Sequence, residues 1–405
     1  MGPKNRDQGG HGMLVLSVNV GSTSLKYRLY RMDGETELAH GHFEGVARDR
    51  GGSSQQAGAL THQTDVPARG YQDAIADMLA FLKEANVLPQ LPDAVAFKTV
   101  AAMGVTGVQR LTENVLHCME QLNALLPAHN PPYVAAIRQF MDIMPDTPLI
   151  GCFETGFFSD MPPHAYLYPL PQALSEQGLR RNGAHGASHE YVTQWVTKRM
   201  GKPVRLISCH LGGSSSLAAI RDGRGQDTTI GLSMQTGLPH NNRIGDIDPY
   251  LTFYLHETLG MGLDDIKRLY GTQSGLYGLS HGLSGDMRVL TNAYQRDDPR
   301  AKQAVDAFCY QLRKQIGAYV AALGGAEAIA FTGGIGQNSP IVRGLALQGL
   351  SCMGIVIDEA KNHAAQPGDD ISVDGSPVRI FVVSTNEEII IARKAKRWLE
   401  RKETQ

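Results

Sequence analysis

One pattern occurs twice, about half the chain apart, and it restricts the fold more than any other feature. Residues 14–29 read LVLSVNVGSTSLKYRL, and residues 205–220 read RLISCHLGGSSSLAAI. Each is an apolar strand, a polar residue (Asn19 or His210), a glycine (Gly21 or Gly212), a run of hydroxyls and a second strand. The separation is far longer than the period of roughly 20–50 residues typical of solenoids. It implies two related domains, each presenting a β-hairpin turn. The backbone N–H groups and hydroxyls of such a Gly/Ser turn can converge on phosphate oxygens. Either hairpin alone reads as a surface turn, whereas the pair reads as two contributions to one ligand.

The bulk properties are compatible with that reading. A chain of 405 residues, 42% hydrophobic and 19% charged, is long enough for two or three domains with a sizeable core. A net charge of −2 without a Lys/Arg stripe disfavours nucleic acid and anionic membrane as partners. Five scattered cysteines without a CxxC pair fit reduced thiols in a cytoplasm and argue against a zinc site. The polar residues 1–12 lack the apolar segment of a signal peptide and read as a disordered tail. No apolar run approaches the roughly 18 residues of a membrane span, so a cytoplasmic protein is expected.

Helical periodicity runs over 71–85, with Ile75, Met78, Leu79 and Leu82 on one face. Further helices are expected at 111–126, 131–144, 249–259, 263–269, 300–323 and 387–400. Strands are expected at 93–100, 147–153, 328–334 and 378–383, and the Gly/Ser/Gln-rich stretch 51–58 reads as loop. Strands alternating with helices indicate an α/β architecture, and the last helix is placed to return to the first domain.

Several local motifs carry chemistry. AIAFTGGIGQNS (328–339) is a strand meeting a glycine-rich turn. It misses the dinucleotide fingerprint because Ser339 stands where a glycine is needed, although Asp358 follows at a suitable distance. A mononucleotide is the better reading, and there is no Walker A sequence. Gly278 to Gly282 matches the G-x-S-x-G nucleophile elbow, but loop sequence precedes it where a strand is required. His185 and His189 are four apart, yet Glu190 follows the second histidine, so the zincin pattern is absent and His189 reads as structural. In the polar loop NNRIGDIDP (241–249), Arg243 is suited to stabilising a transferring phosphoryl group, while Asp248 before Pro249 suits a helix N-cap. In STNEE (384–388), Thr385 with Glu388, or Ser384 with Glu387, forms a capping box, which leaves one glutamate for Mg²⁺.

With these residues in view, the chain resembles the acetate kinase family of acyl-phosphate-forming kinases from about residue 13 to residue 393. The resemblance rests on ordered motifs: NVGSTSLKY, PAHNP, FETGF, MPPHAYLYPLP, RRNGAHGASHEYV, CHLGGSSS, RIGDIDP, SGDMR, FTGGIGQNS and TNEE. It implies two actin/hexokinase-like (ribonuclease H-like) α/β domains with an ATP cleft between them. The first would comprise 13–153 plus 388–405 and the second 154–387. By motif position, His129, Glu154, His185 and Arg243 would be catalytic. Ser22, Ser24, Lys26, His210, Gly212, Gly213, Asp286, Arg288, Gly333, Gly334, Gly336 and Asn338 would bind nucleotide, and Asn19 and Glu387 would hold Mg²⁺ or Mn²⁺. Lys98, Val100, Ala128, Ala184 and Met234 would line the acid site. A homodimer is implied as well.

The chain departs from the family mainly on the acid side. Where the family has HRVVHGG, residues 97–103 read FKTVAAM, so the family's arginine is Lys98, which lacks the bidentate fork. Ala184, Ala128 and Met234 replace a phenylalanine, a leucine and a proline, Gly213 replaces an asparagine, and Glu154 an aspartate. The expected function is reversible ATP-dependent phosphorylation of a short-chain carboxylate, nominally acetate, by direct in-line transfer. The alternatives are a larger acid, such as propionate or butyrate, and a nucleotide-binding protein that has lost phosphotransfer. Loss of bulk at Ala184 and Ala128 is expected to make room for a longer acid.

Overall fold

The computed structural model describes residues 12–403, so the tail expected at 1–12 lies almost wholly outside the described residues. The chain divides into two compact units, one comprising residues 1–156 with 387–405 and the other residues 157–386. The dividing points differ slightly from the expected ones and place both Glu154 and Glu387 in the first unit.

In the first unit, eight strands form one sheet: β1 Leu14–Val20, β2 Ser24–Arg31, β3 Thr36–Glu44, β4 Gly52–Ala57, β5 Leu60–Thr64, β6 Ala94–Thr99, β7 Val108–Arg110 and β8 Leu149–Phe153. Their order is β5-β4-β3-β2-β1-β6-β8-β7. β1 pairs antiparallel with β2 and parallel with β6, and β6 pairs parallel with β8. The apolar faces of helices Tyr71–Glu84 and Asn130–Ile143 bury Ile75, Met78, Leu82, Ile137 and Phe140 in the same core as Leu16, Val18 and Phe97. Helix Glu387–Glu403 returns to lie on β1 and β6, burying Ile390, Ile391 and Ala395. There Ser17 Oγ donates to the carbonyl of Glu388 at 3.0 Å.

The second unit has five strands: β9 Leu206–Leu211, β10 Ser215–Arg221, β11 Arg224–Thr228, β12 Ala328–Thr332 and β13 Arg379–Val382. Their order is β11-β10-β9-β12-β13, with β9 antiparallel to β10 and parallel to β12. The arrangement repeats that of β3-β2-β1-β6-β8, which is the structural counterpart of the repeated sequence pattern. The 25-residue helix Pro299–Leu323 covers this sheet, burying Val305, Phe308, Leu312 and Ile316. Asp298 caps its start, accepting from Arg300 N at 2.9 Å.

Four local expectations are corrected. Residues 51–58 include a strand, β4, whose inward residues are the polar Ser53 and Gln55 and the small Ala57. Gln55 is satisfied by Tyr27 Oη at 2.8 Å and Asp77 at 3.0 Å, so the alternation carries little apolar signal. The helix expected at 111–126 is confined to Glu113–Glu120 and passes into turns. That expected at 249–259 is a short α-helix, Tyr250–Phe253, running into a π-helical turn, Tyr254–Thr258. The segment before Ser280 is helical over Gly275–Leu279. The buried Ser280 hydroxyl lies on the carbonyls of Tyr277 and Ser284, so there is no strand-to-helix elbow. Among the described residues, no helix is long and apolar enough to cross a membrane.

Candidate active site

In the first unit the candidate residues begin at the β1–β2 turn. Asn19 pairs with Lys26 across the hairpin, and Gly21 N donates to Ser24 O at 2.8 Å. A Cβ on Gly21 would lie 2.4 Å from Ser24 Oγ, so a side chain there would displace the Ser24 hydroxyl. Two tyrosines brace it. Tyr133 Oη donates to Asn19 Oδ1 at 2.8 Å and accepts from Val20 N at 3.1 Å. Tyr71 Oη donates to Gly21 O at 2.6 Å. Ser22 and Lys26 remain exposed.

Lys98 comes from the end of β6, beside Cys152 of β8 in the parallel register. Its ammonium forms an ion pair with Glu387 at the start of the returning helix, and both side chains are largely withdrawn from water. Glu154, immediately after β8, is 4% exposed. Burial alone would lower the Lys98 pKa, but the carboxylates of Glu387 and Glu154 outweigh it and hold Lys98 well above the usual lysine range. The structure thus joins the residue expected to hold the acid, Lys98, to the one expected to hold metal, Glu387. His129 caps helix Asn130–Ile143, and Asn130 anchors that turn through the carbonyls of Ala101 (3.1 Å) and Met119 (2.7 Å). Val100 is half-buried and Ala128 exposed.

In the second unit, His185 caps helix Gly186–Met200 in the left-handed conformation, with φ 54°. That conformation costs a non-glycine residue about 1 kcal/mol or more. The ring is held by Ser216 Oγ, 2.7 Å from Nδ1, and stacks on His210 with centroids 4.2 Å apart. His189 lies behind, fully buried between Ser208 and Ser216, each at 2.9 Å. Burial, with a smaller contribution from His210, pushes His189 well below the usual histidine range, which makes it a neutral structural residue.

The β9–β10 turn is backed by His240, which the sequence analysis did not single out. Its Nδ1 accepts from Ser215 N at 3.0 Å, and its Nε2 donates to Thr236 O at 3.2 Å. Burial, reinforced by nearby Arg243, pushes His240 down to about 3. Gly275 closes the other side of the Arg243 loop: its φ is +60°, and a Cβ there would meet His240 O at 2.2 Å and Arg243 O at 2.6 Å. Burial also lowers the Arg243 pKa.

Beside this turn lies a pocket of about 430 Å³. Six of the expected nucleotide residues line it: Gly212, Gly213, Asp286, Arg288, Gly334 and Asn338. Asn241, Thr291 and Asn292 line it too and were not foreseen. Gly333 and Gly336 do not line it, and both are packed closely: a Cβ on Gly333 would lie 2.5 Å from Leu211 O and one on Gly336 3.3 Å from Phe331 C. Arg288 pairs with Asp286 at 2.6 Å, which holds the Asp286 carboxyl below its usual range. Fully buried Arg343 donates to the carbonyls of Gly336 (2.8 Å) and Gln337 (2.7 Å), satisfying the end of helix Gly333–Asn338. Asp358 is a helix cap, accepting from Lys361 N at 3.0 Å, so nothing supports a dinucleotide. Ala184 and Met234 are buried, 2% and 7% exposed, so Ala184 does not open onto free space as expected.

The sequence model of the Acetokinase family matches residues 14–393. The chain belongs to this family. An acetate kinase of Clostridium kluyveri is 36% identical over 400 residues, covering 96% of this chain and 98% of that one. One from Coprothermobacter proteolyticus is 37% identical over 393 residues, covering 94% and 98%. Among solved structures, a propionate kinase from Francisella tularensis superposes with a TM-score of 0.87 at 30% identity, covering 94% of this chain and 98% of the other. Porphyromonas gingivalis acetate kinase superposes with a TM-score of 0.85 at 31% identity, covering 96% and 100%. Membership of the Acetokinase family accounts for the repeated sheet order and for the order of the motifs along the chain.

Proposed function

We propose that the protein transfers the γ-phosphoryl group of ATP to a short-chain carboxylate, giving an acyl phosphate and ADP, in either direction. The observation that carries this reading is the pocket lined by Gly212, Gly213, Asp286, Arg288, Gly334 and Asn338, in a chain of the Acetokinase family. Its volume lies in the usual range for small-ligand sites, roughly 300–1,000 Å³. A carboxylic acid with a pKa near that of Asp or Glu, about 4, is already ionised at neutral pH. No general base is needed. Catalysis reduces to bringing two anions together and neutralising charge on the group in flight, the role assigned here to Arg243, His185 and His129. Ser22, Ser24, Lys26 and His210 are assigned to the phosphate chain.

Glu387 and Asn19 offer one carboxylate and one amide oxygen, and no group of three or more metal-ligating side chains occurs among the described residues. Such a donor set fits Mg²⁺ or Mn²⁺ delivered with the nucleotide, because these ions keep several waters and take one or two protein oxygens. When bound, the ion would neutralise charge on the phosphates.

Acetate is the nominal acid, and propionate remains compatible. Lys98, Val100, Ala128, Ala184 and Met234 are assigned to the acid, but buried Ala184 gives no support to a larger pocket. A homodimer is supported by the exposed apolar run Tyr250, Leu251, Phe253, Tyr254, Leu259 and Leu263. Free cysteines fit a cytoplasmic setting. Hydroxylamine trapping of acyl phosphate from ATP with acetate, propionate and butyrate tests the reading. Product with at least one acid is expected, and ATP binding without product from any of them would leave only a nucleotide-binding protein.

A further inference from the structure

The Lys98–Glu387 ion pair puts a cation on the one carboxylate that the functional reading assigns to metal. The arrangement is built in. Lys98 stands on a central strand beside Cys152, Glu387 begins a helix packed on that sheet, and Glu154 adds a second buried carboxylate attracting the same ammonium. Asn19, the other oxygen donor, is engaged by Tyr133 at 2.8 Å. A divalent ion approaching without phosphates therefore meets one carboxylate already neutralised and one amide oxygen with a single lone pair left to offer. Two like charges cannot share a carboxylate withdrawn from water without strong repulsion.

We propose that Lys98 is a tethered cation occupying the metal's place at Glu387 until nucleotide arrives, so that the ion enters only as its nucleotide complex. The phosphates supply the oxygens that the protein lacks and offset the charge of the arriving ion, and Glu387 exchanges one cation for the other without any covalent change. The displaced ammonium remains beside Glu154 and becomes available to an anionic acid. This proposal rests on the assignment of Glu387 to metal in the functional reading above.

The test is Mn²⁺ binding to the full-length protein without nucleotide, read as loss of the free-ion paramagnetic resonance signal. Wild-type protein is expected to bind Mn²⁺ alone weakly and Mn²⁺ with ADP far more tightly. Lys98→Met, which keeps the length of the side chain and removes its charge, should bind Mn²⁺ alone about tenfold or more tightly than wild type. The gain should vanish in Lys98→Met/Glu387→Gln, and Lys98→Arg should resemble wild type. Unchanged or weaker Mn²⁺ binding by a folded Lys98→Met protein would overturn the proposal. Tight binding of Mn²⁺ alone by the wild-type protein would overturn it as well, and that measurement stands even where the variants do not fold. Because the readout is metal occupancy without turnover, absence of acyl phosphate in the activity assay would count against the functional reading alone.

Discussion

Arg243 stands in a loop locked from both sides, by the buried His240 that bridges Ser215 and Thr236 and by Gly275 against its own carbonyl. A loop backbone held so rigidly leaves only the Arg243 side chain to adjust on meeting developing charge. Arg243→Ala is expected to lower kcat by about 10²-fold or more with little change in the KM for ATP, as steady-state kinetics with both substrates varied would measure. Near-normal turnover would move Arg243 to a structural role. The two adjacent glutamates should separate in the same assay. Glu387→Gln is expected to raise the Mg²⁺ requirement and cut turnover by roughly tenfold or more. Glu388, whose carboxylate lies 4.0 Å from Arg28, should leave the metal requirement unchanged when replaced by Gln. A reversal of these effects would show that the metal assignment belongs to Glu388.

The two hairpins are braced by different chemistry, tyrosine hydroxyls in one and a neutral histidine in the other. Tyr133→Phe removes a donor to Asn19 and leaves the Val20 N–H without its acceptor. A loss of about 1–3 kcal/mol is expected, read as a lower denaturation midpoint in urea, together with weaker nucleotide binding. The hairpins and the long helices were legible in the sequence because apolar periodicity and turn residues coincide there, whereas the glycine-rich stretch read as a turn after β12 winds into helix Gly333–Asn338. β4 was not, because two of its three buried positions are the polar Ser53 and Gln55, and Gln55 is satisfied by Tyr27 and Asp77 on other elements. Lys98 and Glu387 were both singled out, but for different tasks. Their pairing depends on the last helix packing across β6, which no local pattern encodes. His240 escaped notice because a histidine among turn residues carries no signature until its two ring nitrogens have partners.

At the scale of the whole molecule, the second unit contains two histidines that folding keeps neutral, His189 and His240. In the unfolded chain they titrate near the ordinary value of about 6.5. Above that pH neither state is protonated and their contribution to pH dependence is nil. As the pH falls below it, the unfolded chain takes up protons that the folded one refuses, and stability is lost progressively toward about pH 3, to which burial and nearby Arg243 push His240 in the folded protein. The thermal midpoint should therefore drop as the pH is lowered from 7 to about 5. A midpoint that stays level over this interval would contradict the neutral assignment. Synthesis on the ribosome meets a different constraint, set by the helix Glu387–Glu403 that belongs to the first unit. The second unit is one unbroken stretch of chain and is complete while that helix is still being made. The first unit, although its strands are translated earlier, waits for helix Glu387–Glu403 to cover β1 and β6. Glu387 arrives with that helix, so a nascent chain has no Lys98–Glu387 pair until the helix has been made.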